Sequence, residues 1–245
     1  MTGIELQLLG SFDVLTADGA SVASTAGTQR LLSLLALRSR TVSRAAIAGA
    51  LWPEAPRSLG AVRLRAVLAR INPLTRTMLI VSSGGVGLDP LCTVDYRSAR
   101  ALADRVLDSA AEATTATASE TRSTIAVLCL ELLPDFYDDW ALEEAEEWRW
   151  VRAEALESLA ASLARDARPS LAMHAAQSAV RTEPLRETAH AALVRLHISA
   201  GNHGEALRTF ERFSTSLAEA VGVGPSTAFR ELIATLPGQT TLPHR

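Results

Sequence analysis

The chain has no lysine: all 24 of its basic residues are arginine. That absence removes whole classes of chemistry. There is no P-loop lysine, no Schiff-base lysine and no lysine general base, so G-x-x-x-x-G-K-[ST] is missing and a standard P-loop NTPase is excluded. Cysteine is nearly absent too, with Cys92 and Cys129 alone, which gives no disulfide framework and reads as two reduced thiols. No run of about 18 apolar residues occurs, so no membrane-spanning helix is expected. The opening "MTGIELQLLGSFDV" has no basic region ahead of an apolar stretch, so it is not read as a secretory signal, and a cytoplasmic, nucleoid-associated protein is expected. There is no G-x-S-x-G, no H-E-x-x-H and no Cys/His nucleophile pair. The five histidines, His174, His190, His197, His203 and His244, show no ligand spacing. The expectation is a protein that is not an enzyme and carries no metal or cofactor.

What is present is a strong charge asymmetry. Over 245 residues the net charge is only −3. Residues 28–76 nevertheless hold nine arginines (Arg30, Arg38, Arg40, Arg44, Arg57, Arg63, Arg65, Arg70 and Arg76) against one acid, Glu54. The part after residue 94 is acidic. A localised positive field points to a polyanionic partner.

Pattern places this charge in context. "IELQLLG" and "FDVLTADGASV" alternate like short strands, with Asp18-Gly19 as a hairpin signal. "GTQRLLSLLALR" has Leu31, Leu34, Leu35 and Arg38 at helical spacing, with Thr28 as its expected N-cap. "TVSRAAIAGALW" follows, capped by Ser43, with Ala46, Ile47, Ala50 and Leu51 as an apolar stripe. In "RSLGAVRLRAVLARI" Leu64, Val67, Leu68 and Ile71 share one face. Ser58, Val62, Arg65, Ala66 and Ala69 face the other way, flanked by Arg63 and Arg70, and Asn72-Pro73 ends the helix. Met78–Val81 and Val86–Leu88 read as two strands around Ser82-Ser83-Gly84-Gly85. Strands, three helices and a hairpin are the order of a winged helix-turn-helix, whose last helix enters the major groove.

Arg63 and Arg65 are the candidates to reach base edges, because arginine to guanine O6/N7 is the commonest specific contact. Arg70, Arg57, Arg44, Arg30 and Arg76 are candidates for phosphate contacts, with Ser58, Ser82 and Ser83 as hydroxyl donors.

From residue 94 onward the pattern is helical. "AAEATTATASETRS" reads as a loop. A long amphipathic run extends from about Asp139 to Asp166, with Leu142, Trp148, Val151, Leu156, Leu159 and Leu163 as its buried side. Trp52, Trp140 and Phe210 read as core. The acids Asp138, Asp139, Glu143, Glu144, Glu146 and Glu147 suit a helix start. Ala172 and Ala206 stand 34 residues apart, the tetratricopeptide period, and "SAGNHGEALRTF" fits the turn and second helix of such a unit.

These segments together resemble the short members of the Streptomyces antibiotic regulatory protein (SARP) family. "VSRAAIAGALWPEA" resembles the family's second helix with its Leu51-Trp52-Pro53 turn. "VRLRAVLARI" resembles its recognition helix. "LLPDFYDDWALEEAEEWRWVRAEALESLA" and "HISAGNHGEALRTFERFSTSLAEAVGVGPSTAFREL" resemble the opening and end of its activation domain. Family wings commonly carry Gly-Tyr-Arg-Leu where this chain has Gly85-Val86-Gly87-Leu88. The resemblance implies a mainly α protein. An OmpR-type winged helix-turn-helix (α+β), the effector domain of two-component regulators, would span 1–93. An all-α, tetratricopeptide-like bacterial transcriptional activation domain would span 94–245. It implies an activator of a secondary-metabolite gene cluster that binds promoter direct repeats near −35, as a homodimer or in tandem. Its implied partner besides DNA is RNA polymerase holoenzyme including the sigma factor, and contact to polymerase is then the other reading of the acidic run from Asp138 to Glu147. A tetratricopeptide-like interaction adaptor with a degenerate winged helix is the alternative reading.

Overall fold

The computed structural model describes residues 3–38, 40–108 and 116–236. The fold is mainly α, a winged helix-turn-helix followed by tetratricopeptide-like helices. Its residues divide into two compact units, Met1–Arg100 with Leu130–Trp148, and Ala101–Cys129 with Arg149–Arg245.

In the first unit, strands β1 (Glu5–Gln7) and β2 (Asp13–Leu15) pair antiparallel with Leu6 opposite Val14, both fully buried. Asp18-Gly19 does form a turn: the Gly19 N–H donates to the Thr16 carbonyl at 2.8 Å, and Ser21 folds back beside Leu15. Gly19 sits at φ +80°, a conformation that costs a residue without Cβ little. Helix α1 (Ala26–Arg38) buries Leu31, Leu32, Leu34 and Leu35. Each such leucine contributes about 1.5–3 kcal/mol of burial. Thr28 does not cap this helix. Thr25 does, since its Oγ1 accepts from the Thr28 N–H at 3.3 Å while Thr28 is buried in the first turn.

Ser43 caps α2 (Arg44–Leu51), its Oγ accepting from the Ala46 N–H at 3.2 Å. The buried stripe is Ile47, Ala48 and Leu51; Ala46 is exposed and Ala50 half-buried. Helix α3 (Arg57–Arg70) packs across α2. Gly60 makes this crossing close, because a Cβ there would meet the Ala48 Cβ at 3.3 Å. A single turn, α4 (Pro73–Arg76), follows, with the Asn72 side chain accepting from the Leu74 N–H. Strands β3 (Leu79–Val81) and β4 (Val86–Leu88) form the hairpin, and Val86 also bridges Val42. Strand β5 (Thr93–Val94) then adds to β1 in parallel, giving the order β2-β1-β5.

Two later pieces complete this unit. Asp95, the first residue of α5 (Asp95–Asp108), accepts from the Leu8 and Leu9 N–H groups at 2.8 and 3.0 Å. Burial pushes its carboxyl above the ordinary carboxylate value, while those amides pull the other way. Residues 131–133 bond back to the first strand's end: Gly10 N–H to the Glu131 carbonyl at 2.7 Å, and Leu133 N–H to the Leu8 carbonyl at 2.9 Å. At the start of α7 (Asp139–Arg165), Trp148 is fully buried, donates to the Leu130 carbonyl at 2.9 Å and meets Tyr96 edge-on at 5.5 Å. The Tyr96 hydroxyl donates to Glu144, and burial together with that carboxylate raises its pKa.

In the second unit α6 (Ala118–Leu128) begins inside the stretch read as a loop. Thr117 and Glu120 form a capping box, each side chain accepting from the other's backbone N–H. Residues 110–115 of that expected loop lie outside the described residues. Helices α8 (Pro169–Thr182), α9 (Glu187–Ser199), α10 (His203–Val221) and α11 (Thr227–Ala234) follow. Ala172, Ala176, Ala179 and Ala206 are all fully buried, and Gly201 at φ +73° turns the chain between α9 and α10. Val194, Ala206, Phe213, Phe229 and Ile233 form one apolar cluster, with Phe210 half-buried and edge-on to Phe229 at 5.1 Å. Along α7 Leu156, Leu159 and Leu163 are buried, Val151 is half-buried, and Leu142 is 49% exposed, so it is not part of the buried side.

Candidate nucleic-acid interface

Helix α3 is anchored through Leu64 and Ile71, 1% and 6% exposed, with Val67 and Leu68 half-buried beside them. That fixes its rotation. Arg57, Ser58, Arg63, Arg65 and Arg70 are all exposed. At 1.5 Å per residue Arg63 and Arg70 lie about 10 Å apart along the helix, nearly in line. None of Arg57, Arg63, Arg65 and Arg70 has a hydrogen bond or ion pair among the described residues. The helix holds no acid, and its N-cap, Pro56, gives no side-chain hydrogen bond. Four guanidinium groups therefore keep their donors available on one exposed element.

The hairpin is seated on the helix-turn-helix by three features. Val42 and Val86 exchange both backbone hydrogen bonds at 2.9 Å. Gly85 lies against Val42, where no side chain fits. Arg44, at the start of α2, donates to the Ser82 carbonyl at 2.7 Å and the Ser83 carbonyl at 3.5 Å. Arg44, Ser82 and Ser83 thus come together, and all of the loop from Ser82 to Gly84 is exposed. Because the acceptors are neutral carbonyls, Arg44 keeps its full charge beside a loop that has none. A cleft of about 620 Å³ runs between Arg44 and Arg57, floored by Ala48, Gly49 and Gly60.

The other two expected contacts are held internally. Arg76 donates to the Leu68 carbonyl at 2.7 Å, near the end of α3. Arg30 is bound to both oxygens of Asp138 and to the Leu51 carbonyl at 2.6 Å. An arginine committed to a carboxylate in this way has fewer donors left for a phosphate. Sequence separation hid this pair, since 108 residues divide its members. The acidic run shows more of the same: Glu144 accepts from Tyr96, and Glu147 from Arg100 at 2.9 Å. These carboxylates tie the first unit together, a role the helix-start reading did not foresee.

No group of three or more His, Cys, Asp or Glu among the described residues has the arrangement of a metal site. Among them, too, no helix is long and apolar enough to cross a membrane. Burial pushes the Cys92 thiol up to about 11, which makes it a poor nucleophile.

Comparison with known proteins adds three findings. Residues 94–236 match the family described as Bacterial transcriptional activator domain. The solved structure of Mycobacterium tuberculosis EmbR in complex with low affinity phosphopeptide is similar over 96% of this chain, with a TM-score of 0.71 and 21% identity. The chain spans 65% of that protein's length, and at this identity the likeness speaks for the fold. No curated protein matches the chain at a significant level.

Proposed function

Because the chain belongs to the bacterial transcriptional activator domain family, of the SARP type, we propose that it activates transcription by reading promoter DNA through α3. The observation that carries this is the set of four arginines, without partners among the described residues, on one exposed helix in a winged helix-turn-helix. Residues 1–93 act as the DNA-binding part and 94–245 as the activation domain. Helix α3 lies in the major groove, where Arg63 and Arg65 reach base edges. Arg57, Arg70, Ser58 and Arg76 contact phosphates on either side, which fixes register without reading sequence. Arg44 supplies at the wing the charge that Ser82-Ser83-Gly84-Gly85 lacks, with the two serine hydroxyls as further donors to phosphate. The activation domain recruits RNA polymerase holoenzyme, sigma factor included. Tandem copies occupy direct repeats near −35 in front of an antibiotic or other secondary-metabolite gene cluster. No catalysis enters this reading.

The test is a mobility shift on duplexes from the promoters nearest the gene, at several salt concentrations. Counterion release gives a log–log slope of about −0.9 per phosphate neutralised, so a steep loss of affinity is expected as salt rises. Replacing both Arg63 and Arg65 by alanine is expected to remove about 1–3 kcal/mol of discrimination per lost base contact. Replacing Arg70 by glutamine is expected to weaken all duplexes alike and to flatten the slope by about 1. Binding that is unchanged in the double variant removes α3 as the reading element. Capture of polymerase without any preferred duplex would favour an adaptor instead.

A further inference from the structure

Helix α3 is apolar on two sides. Leu64 and Ile71 are buried, as described. On the opposite side Leu59 is 42% and Val62 50% exposed, and Ala66 and Ala69 are exposed as well. At 100° per residue these four fall within about 40° of the direction opposite Leu64. They form a row down the middle of the outward face. Ser58 and Arg65 run along one edge of the row, Arg63 and Arg70 along the other. A solvated helix face ordinarily carries polar residues there.

An apolar strip between two cationic edges, on a helix without an acid, has a definite complement. The major groove of B-DNA, about 12 Å wide, has phosphates along both walls and thymine C5-methyl groups on its floor. We infer that Val62, with Ala66 one turn on, packs against thymine methyl groups, so that the row is a specificity determinant. The two residues are about 6 Å apart along the helix, so the thymines they meet lie within two base-pair steps. The arginines at the edges read guanine or hold phosphate, and the row between them reads thymine. This rests on the DNA-binding reading above and adds which base feature the centre of the helix selects.

The test uses the full chain and a randomised duplex library. The enriched sequence is remade with each thymine in turn replaced by deoxyuridine, which deletes only the 5-methyl group. One buried methyl corresponds to about fourfold in affinity. At one or two thymines the wild-type chain is expected to lose about that factor. Val62→Ser, at an exposed position where the fold tolerates the change, is expected to bind the thymine and deoxyuridine duplexes equally. Arg70→Gln is expected to bind both more weakly and keep the fourfold difference. Indifference of the wild type to every deoxyuridine overturns the inference. So does a methyl effect that survives Val62→Ser, or Val62→Ser binding at wild-type strength, which would make the row a protein-docking strip. A library that yields no common sequence strikes the DNA-binding reading itself and is told apart by that.

Discussion

Gly85→Ala tests how the wing is held. A Cβ at this position would lie 2.1 Å from the Val42 carbonyl oxygen, 2.7 Å from its carbon and 3.1 Å from the Thr41 Cγ2. Carbon and oxygen atoms in contact sit well beyond 3 Å, and two of these neighbours are backbone, which cannot rotate away. The hairpin must therefore lift off Val42 by about 1 Å or more. Lifting breaks the two Val42–Val86 hydrogen bonds, each 2.9 Å. At about 1 kcal/mol net each, that is about 2 kcal/mol. Val86 is fully buried and Val42 nearly so, and partial exposure of both adds about 1–2 kcal/mol. The expected loss is about 3–4 kcal/mol. Gly84→Ala is the matched control, because a Cβ there meets only the Ser82 Oγ, at 3.7 Å. Urea titration followed by tryptophan fluorescence gives the difference, since Trp52, Trp140 and Trp148 all belong to the first unit. Amide exchange at Val42 and Val86 localises it. If Gly85→Ala unfolds within 0.5 kcal/mol of Gly84→Ala, as a threshold well below the estimate above, and both amides stay protected, the seating of the wing has been misread.

Asp138→Asn leaves Arg30 without its carboxylate; the pair is partly buried, so a loss of about 1–2 kcal/mol is expected in urea, between the values for exposed and buried pairs. Arg30→Ala is expected to cost a similar amount and to leave the salt slope of DNA binding unchanged, whereas a flatter slope would return Arg30 to the phosphate contacts. His190 donates from Nε2 to the Pro184 carbonyl at 2.9 Å, its ring lies 4.5 Å from that of Phe213 and tilted to it, and burial lowers its pKa below the ordinary 6.5. The unfolded chain thus takes up the proton first, so stability is intact above about pH 6.5 and is lost as pH falls below it. Thermal melts of wild type and His190→Gln between pH 7.5 and 5.5 check this, the variant being expected to show the shallower decline.

Local signals explain what the sequence made legible. Leucine spacing in α1, the Ser43 cap of α2, the two faces of α3 and the Val86–Leu88 strand all depend on neighbours within a few residues. The 34-residue interval from Ala172 to Ala206 was legible because both positions are fully buried on packed helices. Two errors were also local. Thr28 reads as the cap, although the helix begins before it at Ala26 and Thr25 stands in the capping position. The Thr117-x-x-Glu120 box was present in the sequence and was masked by the small, polar residues around it. The remaining omissions were long-range. Strand β5 is only two residues long, too short to alternate. The return of residues 131–133 to the first strand, and the pairing of Arg30 with Asp138, leave no periodic trace, because they join segments more than a hundred residues apart.

That pairing also changes how the basic segment should be counted. Sequence alone assigns +8 to residues 28–76, treating every arginine alike. The structure separates three situations. Arg30 is neutralised by a carboxylate from outside the segment, so its charge leaves the local field. Arg44 and Arg76 donate to neutral carbonyls, which restrain the side chains without cancelling charge. Arg57, Arg63, Arg65 and Arg70 are neither cancelled nor restrained by any of the described residues. Restrained cations lose less entropy on meeting a phosphate, and unrestrained ones can adjust to base edges. Fixed positions at the wing and just after α3, with adjustable ones between, would suit the proposed binding, in which register is set on a backbone before bases are discriminated.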